Sequence, residues 1–244
     1  MSAVRFDHVS KAFGALKVLD DISFEVPSGQ GFCLLGRSGT GKSVTLRHIV
    51  GLVRPDRGNV FVEERDIGLL AGRELADVRK HMGFLFQNAA LFDSMSVGDN
   101  VAFPMRRHTN WSRRDIRDRA MSKLADVGLD KDFNKMPGDL SGGMKKRAGL
   151  ARAMALDPPI LLVDEPSAGL DPITAGEIDL LLIKAKQRGA TLVVVTHNIP
   201  SARVLGDGFA VLQDGRMLVS GTLAALEASE EPVVQAFMRA QGSG

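Results

Sequence analysis

The apolar positions of this chain follow two patterns that alternate along its length. GFCLL (Gly31 to Leu35), ILLV (Ile160 to Val163) and TLVVV (Thr191 to Val195) are short unbroken apolar runs. Runs of this length suit strands buried on both faces of a sheet. Other stretches carry apolar residues at helical spacing, with Ile116, Ala120, Leu124 and Val127 on one face and Ile178, Leu181, Leu182 and Ala185 on another. The opening differs again: VRFDHVSKAF and VLDDISFEV read as strands around a turn at Phe13-Gly14, with a second turn at Pro27-Ser28-Gly29. Lys42 to Val50 reads as a helix, Met82 to Phe86 as a strand, and after LSGGM (Leu140 to Met144) a further helix should run to about Ala155. FAVLQ and RMLVS flank Asp214-Gly215, a hairpin signal. Two short helices should close the chain, with fraying expected over Gln241 to Gly244.

From about Phe92 to Gly138 the sequence is richer in charge, with Arg106-Arg107 and Arg113-Arg114, and reads as helical. The expectation is therefore one α/β unit over residues 1–244, interrupted at about 92–138 by a small helical subdomain. A formal net charge of +2 gives no case for nucleic acid or an anionic membrane as the main partner. The single cysteine, Cys33, lies in an apolar run and reads as a buried small hydrophobe; four-cysteine zinc sites are excluded. No apolar run approaches the roughly 20 residues that span a bilayer. Arg5, Asp7 and His8 break up the N-terminus, which does not read as a signal peptide. A cytoplasmic chain is expected, with other chains supplying any membrane part.

Candidate chemistry collects in three places. GRSGTGKS, comprising Gly36, Arg37, Ser38, Gly39, Thr40, Gly41, Lys42 and Ser43, follows an apolar strand and opens a helix. It fits G-x-x-x-x-G-K-[ST], a loop whose backbone N–H groups cradle phosphates. Lys42 supplies a charge for the outer phosphates and Ser43 a hydroxyl for Mg²⁺. Asp164-Glu165 ends an apolar strand, where ligands bind in open α/β sheets. Asp164 is the expected Mg²⁺ holder and Glu165 the expected general base for an attacking water. In LSGGM, Ser141 is a natural N-cap, and Gly142-Gly143 allow close approach at a helix start. On its own this motif reads either as an ordinary capped helix or as a second anion site.

With these motifs in this order, the chain resembles the ATP-binding subunits of ABC transporters over nearly its full length. That resemblance implies an α/β P-loop NTPase fold of ABC type: a mixed sheet flanked by helices, an inserted helical subdomain and an N-terminal antiparallel β region. It implies ATP hydrolysis with Mg²⁺. It also implies that the Ser141 to Gly143 segment of one copy closes on ATP held by the glycine loop of another, so that the working unit is a homodimer. Met144 stands where the commonest family motif has Gln. Further positions match the family one by one. Gln87 resembles the glutamine that senses metal and water and links the site to the membrane partner. His197 resembles the switch histidine on the γ-phosphate. Asp171, in SAGLD (Ser167 to Asp171), resembles the carboxylate of the loop that crosses to the partner subunit. Phe13 resembles the aromatic that stacks on adenine, commonly Tyr in the family; from the sequence alone it fits the core equally well.

Finer likeness lies in Leu91 to Thr109, Leu140 to Ala153 and Asp164 to Gly176. These stretches resemble the Mla-type ATPases of MCE transport systems. That resemblance implies a bacterial engine at the cytoplasmic face of the inner membrane, moving phospholipid or another hydrophobic compound. The implied partners are a multi-pass permease, an MCE-domain protein and a STAS-domain subunit, with no nucleic acid. The alternatives are the ATPase of another ABC importer, such as a polar amino-acid importer, and a single-half cell-division ABC protein. Repair members bring zinc-binding cysteines, which this chain lacks.

Overall fold

The computed structural model describes residues 1–240, so the fraying expected at 241–244 lies outside the described residues. Two sheets form the frame. The first is antiparallel, in the order β2-β1-β4-β5, built from β1 (Ser2–Phe13), β2 (Leu16–Pro27), β4 (Arg57–Val62) and β5 (Arg65–Asp66). The expected opening pair is thus present, turning at Phe13-Gly14, and the chain later adds two strands that its periodicity does not announce.

The second sheet runs β10-β9-β3-β8-β7-β6 and is mixed. It comprises β3 (Gly31–Leu35), β6 (Met82–Leu85), β7 (Ile160–Asp164), β8 (Thr191–Thr196), β9 (Gly208–Gln213) and β10 (Arg216–Gly221). All pairs are parallel except the terminal β9–β10 hairpin. Every residue of β3, β7 and β8 is buried, as their unbroken apolar runs require. The hairpin turns at Asp214 and Gly215, both at positive φ (48° and 78°), the backbone that an Asp-Gly turn supplies.

Phe6, Phe24 and Phe32 stack in series, with centroids 4.5 and 5.0 Å apart, and tie the two sheets into one core. Helix α1 (Lys42–Ile49) adds Leu46 and Ile49 to that core. α2 (Gly72–Lys80) buries only Val78. The other face of the mixed sheet is covered by α6 (Pro172–Gln187) and α7 (Ile199–Leu205) and, near the end of the chain, by α8 (Leu223–Glu227) and α9 (Pro232–Ala240). Cys33 lies in this second core, its thiol pushed up to about 12 by burial.

α3 (Val97–His108) and α4 (Arg113–Asp126) gather a third apolar cluster with α5 (Gly142–Ala153). Ile116, Ala120, Leu124 and Val127 are all buried there, on the face their spacing predicts. Ser96 and Ser112 cap α3 and α4 by accepting the N–H groups of Asp99 and Asp115, satisfying donors that each helix start leaves open.

Candidate active site

The order of the mixed sheet decides where the chemistry gathers. β3, β8, β7 and β6 are parallel neighbours, with Leu35 opposite Thr196, Val195 opposite Asp164 and Val163 opposite Leu85. Their C-terminal ends therefore lie side by side, and the residues that follow each strand share one rim of the sheet. Gly36 follows β3, His197 follows β8, Glu165 follows β7, and Phe86-Gln87 follow β6.

The glycine loop runs from that rim into α1. Gly41 caps the helix at φ 101°, and a Cβ there would stand 2.8 Å from the Val18 carbonyl oxygen. Only glycine fits on both counts. α1 has no side-chain cap and no acidic residue in its first turn. Its N–H groups and positive dipole end suit an anion. Lys42 is 5% exposed; its ammonium donates to the Gly36 and Arg37 carbonyls at 2.8 and 2.9 Å and lies 3.4 Å from a Glu165 carboxylate oxygen.

Glu165 is the hub. One carboxylate oxygen faces Lys42, while the other accepts the Thr196 hydroxyl and the His197 backbone N–H, both at 3.3 Å. The same oxygen pairs with His197 Nδ1 at 2.9 Å. The Glu165 backbone sits at φ 46°, in the left-handed region, which costs a non-glycine residue on the order of 1–2 kcal/mol. Its N–H donates to the Val195 carbonyl at 2.9 Å, so β8 fixes one side of this unusual step.

Asp164, beside it, accepts the Ser43 hydroxyl at 2.9 Å. Burial pushes the Asp164 carboxyl above the usual carboxylate range and the Glu165 charge pushes the same way, against the Ser43 hydrogen bond and the Arg47 and Lys42 charges. The rim thus brings together Lys42, Ser43, Asp164, Glu165 and His197. Gln87 is exposed just after β6.

The LSGG corner is built differently. Ser141 caps α5 by accepting the Met144 N–H at 3.3 Å, and Ser141 and Gly142 are exposed. Gly143 is buried: a Cβ on it would come within 2.5 Å of Thr174 Cγ2. Thr174 in turn donates its hydroxyl to Asp171 at 2.6 Å, and Asp171 caps α6 by accepting the N–H groups of Ile173 and Thr174, each at 3.0 Å. Those bonds, led by the Thr174 hydroxyl, hold the Asp171 carboxyl below its ordinary range. The second glycine of LSGG therefore meets a packing demand of its own chain. Among the described residues, no hydrogen bond or ion pair joins Ser141–Met144 directly to Gly36–Ser43.

Phe13 ends β1 with 49% of its surface exposed and the Lys11 ammonium 5.4 Å from its ring centroid. It is therefore not part of the core, one of the two places its sequence position allowed. A groove of about 570 Å³ runs nearby between Leu16–Val18, the loop at Arg37–Thr40 and the Asp214-Gly215 turn.

One residue at the rim escapes sequence reasoning. Lys146 is 5% exposed, and its ammonium donates to the Glu165 carbonyl at 2.8 Å. Burial pushes its pKa down, and the nearby Asp164 and Glu165 charges oppose that shift. In the sequence it stands between Lys145 and Arg147, and nothing local reveals the burial.

The ABC transporter family profile matches residues 19–168. A Mycobacterium tuberculosis protein named "Probable ribonucleotide transport ATP-binding protein mkl" is 43% identical over 243 residues, 99% of this chain and 68% of that protein. The Escherichia coli "Intermembrane phospholipid transport system ATP-binding protein MlaF" is 40% identical over 231 residues, 94% of this chain and 86% of that protein. Among solved structures, a dimeric post-hydrolysis state of the ATP-binding cassette MJ0796 bound to ADP and Pi superposes with a TM-score of 0.84 at 33% identity, covering 90% of this chain and 98% of that one. CbiO1 from Clostridium perfringens, part of the transporter complex cbiONQ, gives 0.83 at 26% identity, covering 98% of this chain and 95% of that one.

Proposed function

This chain belongs to the ABC transporter family, and from that premise we propose that it is the ATPase that drives an Mla-type transporter of phospholipid or another hydrophobic compound between bacterial membranes. It binds and hydrolyses ATP. The observation that carries the mechanistic reading is the convergence of Lys42, Ser43, Asp164, Glu165 and His197 on one rim of the sheet.

The loop Gly36–Ser43 holds the phosphates, with its N–H groups and Lys42 facing the β and γ positions. Glu165 accepts a proton from water, the water oxygen forms a bond to the γ-phosphorus, and the bond to the bridging oxygen breaks, leaving ADP and phosphate. His197 steadies the Glu165 carboxylate through the 2.9 Å contact and faces the γ-phosphate. The Ser43 hydroxyl and Asp164 carboxylate, 2.9 Å apart, are hard oxygen donors of the kind Mg²⁺ takes alongside substrate phosphates and water. Gln87 reaches the same region from β6. When bound, Mg²⁺ neutralises charge on the phosphates. Phe13 offers its exposed face to adenine.

The exposed start of α5 at Ser141-Gly142 and the Asp171 corner complete the site of a second copy, so two chains close around two nucleotides. The dimer of the solved relative at 33% identity supports this reading. Residues 1–244 then form one ATP-binding unit, with 92–138 as the helical arm that, together with Gln87, pushes on a multi-pass permease. No helix among the described residues is long and apolar enough to cross a membrane. The remaining partners on this reading are an MCE-domain protein and a STAS-domain subunit, at the cytoplasmic face of the inner membrane.

The name of the mycobacterial relative, at 43% identity, favours a second reading in which the cargo is a ribonucleotide. One experiment separates the two: purify the tagged chain from its native membrane and identify what stays bound by mass spectrometry. A permease with an MCE-domain protein and retained phospholipid is the expected result. A permease with a soluble solute-binding protein contradicts the lipid reading, and soluble partners alone contradict transport altogether.

A further inference from the structure

Glu165 occupies a backbone conformation that its own residue type disfavours, so something must hold it there. Its N–H is fixed by the Val195 carbonyl at 2.9 Å. On the other side, its carbonyl accepts two donors, the Ala168 N–H at 3.2 Å and the Lys146 ammonium at 2.8 Å. The first of these belongs to the following turn; only Lys146 comes from a separate helix.

Burying an ammonium is costly unless it is paired, and Lys146 is 5% exposed. Among the described residues it makes no ion pair within 4.0 Å; its hydrogen-bond partner is a neutral carbonyl. An apolar side chain would fill the same volume at less cost, so what the lysine supplies is the bond. The peptide it grips is the one that sets the direction of the Glu165 carboxylate, which stands between Lys42 at 3.4 Å and His197 at 2.9 Å.

We infer that Lys146 is a positioning residue for ATP hydrolysis, a bolt from α5 to the Glu165 carbonyl that keeps the general base aimed. The inference rests on the reading of Glu165 as that base. It has a mechanical consequence. Lys146 stands on the helix whose exposed start carries Ser141 and Gly142. A displacement of α5 when that start meets nucleotide in the partner copy is therefore passed directly to the base of its own chain. The two sites of a dimer are coupled through one hydrogen bond in each subunit.

The test uses the full chain, measuring steady-state ATPase activity and the affinity for a fluorescent ATP analogue. Lys146→Met should lower kcat about tenfold or more, while KM and nucleotide affinity stay within about threefold. Lys146→Arg, which keeps a charged donor, should restore most of the lost rate. In a Glu165→Gln background, Lys146→Met should cause no further loss, since its effect passes through Glu165. A kcat for Lys146→Met within about twofold of the parent overturns the inference. So does a fall in kcat and affinity together, or a further loss in the Glu165→Gln background. Should Lys146→Met not fold, Lys146→Leu also removes the donor and carries the same test, and an unchanged kcat there is equally fatal. If the unaltered chain neither binds nor hydrolyses ATP, it is the ATPase reading that has failed.

Discussion

The starts of α1 and α5 are built from the same materials and end in opposite situations. Gly41 caps α1 and Gly142 opens α5, and neither helix has an acidic residue in its first turn, unlike α3 with Asp99 and α4 with Asp115. Around the start of α1 the chain assembles a buried cation, two carboxylates and a histidine. Among the described residues, no charged side chain or histidine is hydrogen-bonded or ion-paired to the exposed Ser141 and Gly142 at the start of α5. A positive helix end that is shaped, acid-free and left without chemistry makes sense as half of a site. On the function proposed above, the other half is the α1 rim of a second copy. Local sequence thus supplies two similar anion-facing ends, and tertiary structure decides which becomes the reaction centre.

The sharpest way to break this contrast is at Glu165. Glu165→Gln should lower ATP turnover by about 10²–10⁴-fold, with ATP-bound dimers accumulating; near-normal turnover in a phosphate-release assay would remove the reaction centre from β7. Lys42→Ala comes next. It removes the charge facing the phosphates and should weaken ATP binding by about tenfold or more, measurable by titration with a fluorescent analogue. At the α5 end, Gly142→Asp adds an exposed acid where a Cβ has room, its nearest neighbour being Leu170 Cδ2 at 3.9 Å. Nucleotide binding to the single chain should be unchanged while ATP-driven dimerisation is lost, as read by light scattering.

The smallest effects concern packing and pH. Gly143→Ala drives a methyl toward Thr174 Cγ2 and should cost about 1–3 kcal/mol, a loss of roughly 2–4 °C in Tm for each kcal/mol. Asp179 is buried in the core, bonded to the Ser201 hydroxyl at 2.7 Å, and burial pushes its carboxyl above the usual range. Between its ordinary pKa of 3.8 and that raised value, the folded chain holds a proton that the unfolded chain has lost. Stability from this group is therefore greatest in acid and falls as pH rises through the window. Asp179→Asn should leave Tm near the parent value in acid and exceed it at neutral pH, and a difference independent of pH would contradict the assignment.

The legible parts of this fold were those with one dominant physical demand. β3, β7 and β8 are buried on both faces, so their apolar runs are unbroken. The turn at Asp214-Gly215 needs positive φ, and the sequence announces it. β4, β5 and α2 went unread because each buries little: α2 presents only Val78 to the core, and β4 buries Val60 and Val62 alone. α7 is short, yet Asn198 capping a helix with Pro200 in its first turn was a usable signal that apolar spacing concealed. Of the site, the motifs placed Lys42, Ser43, Asp164 and Glu165, because phosphate chemistry demands those residue types at those spacings. Lys146 was invisible since its burial is a property of how α5 packs on β6 and reaches the residue after β7. The left-handed backbone of Glu165 was invisible too, because no residue preference forecasts strain held by neighbours.

On the proposed function, this chain carries two halves of two different sites. The direct test is native mass spectrometry of the Glu165→Gln chain with Mg²⁺ and saturating ATP. A dimer holding two nucleotides, reverting to monomers when Gly142→Asp is added, is the predicted result. A monomer with one nucleotide bound, and no dimer at any concentration of ATP, would contradict it.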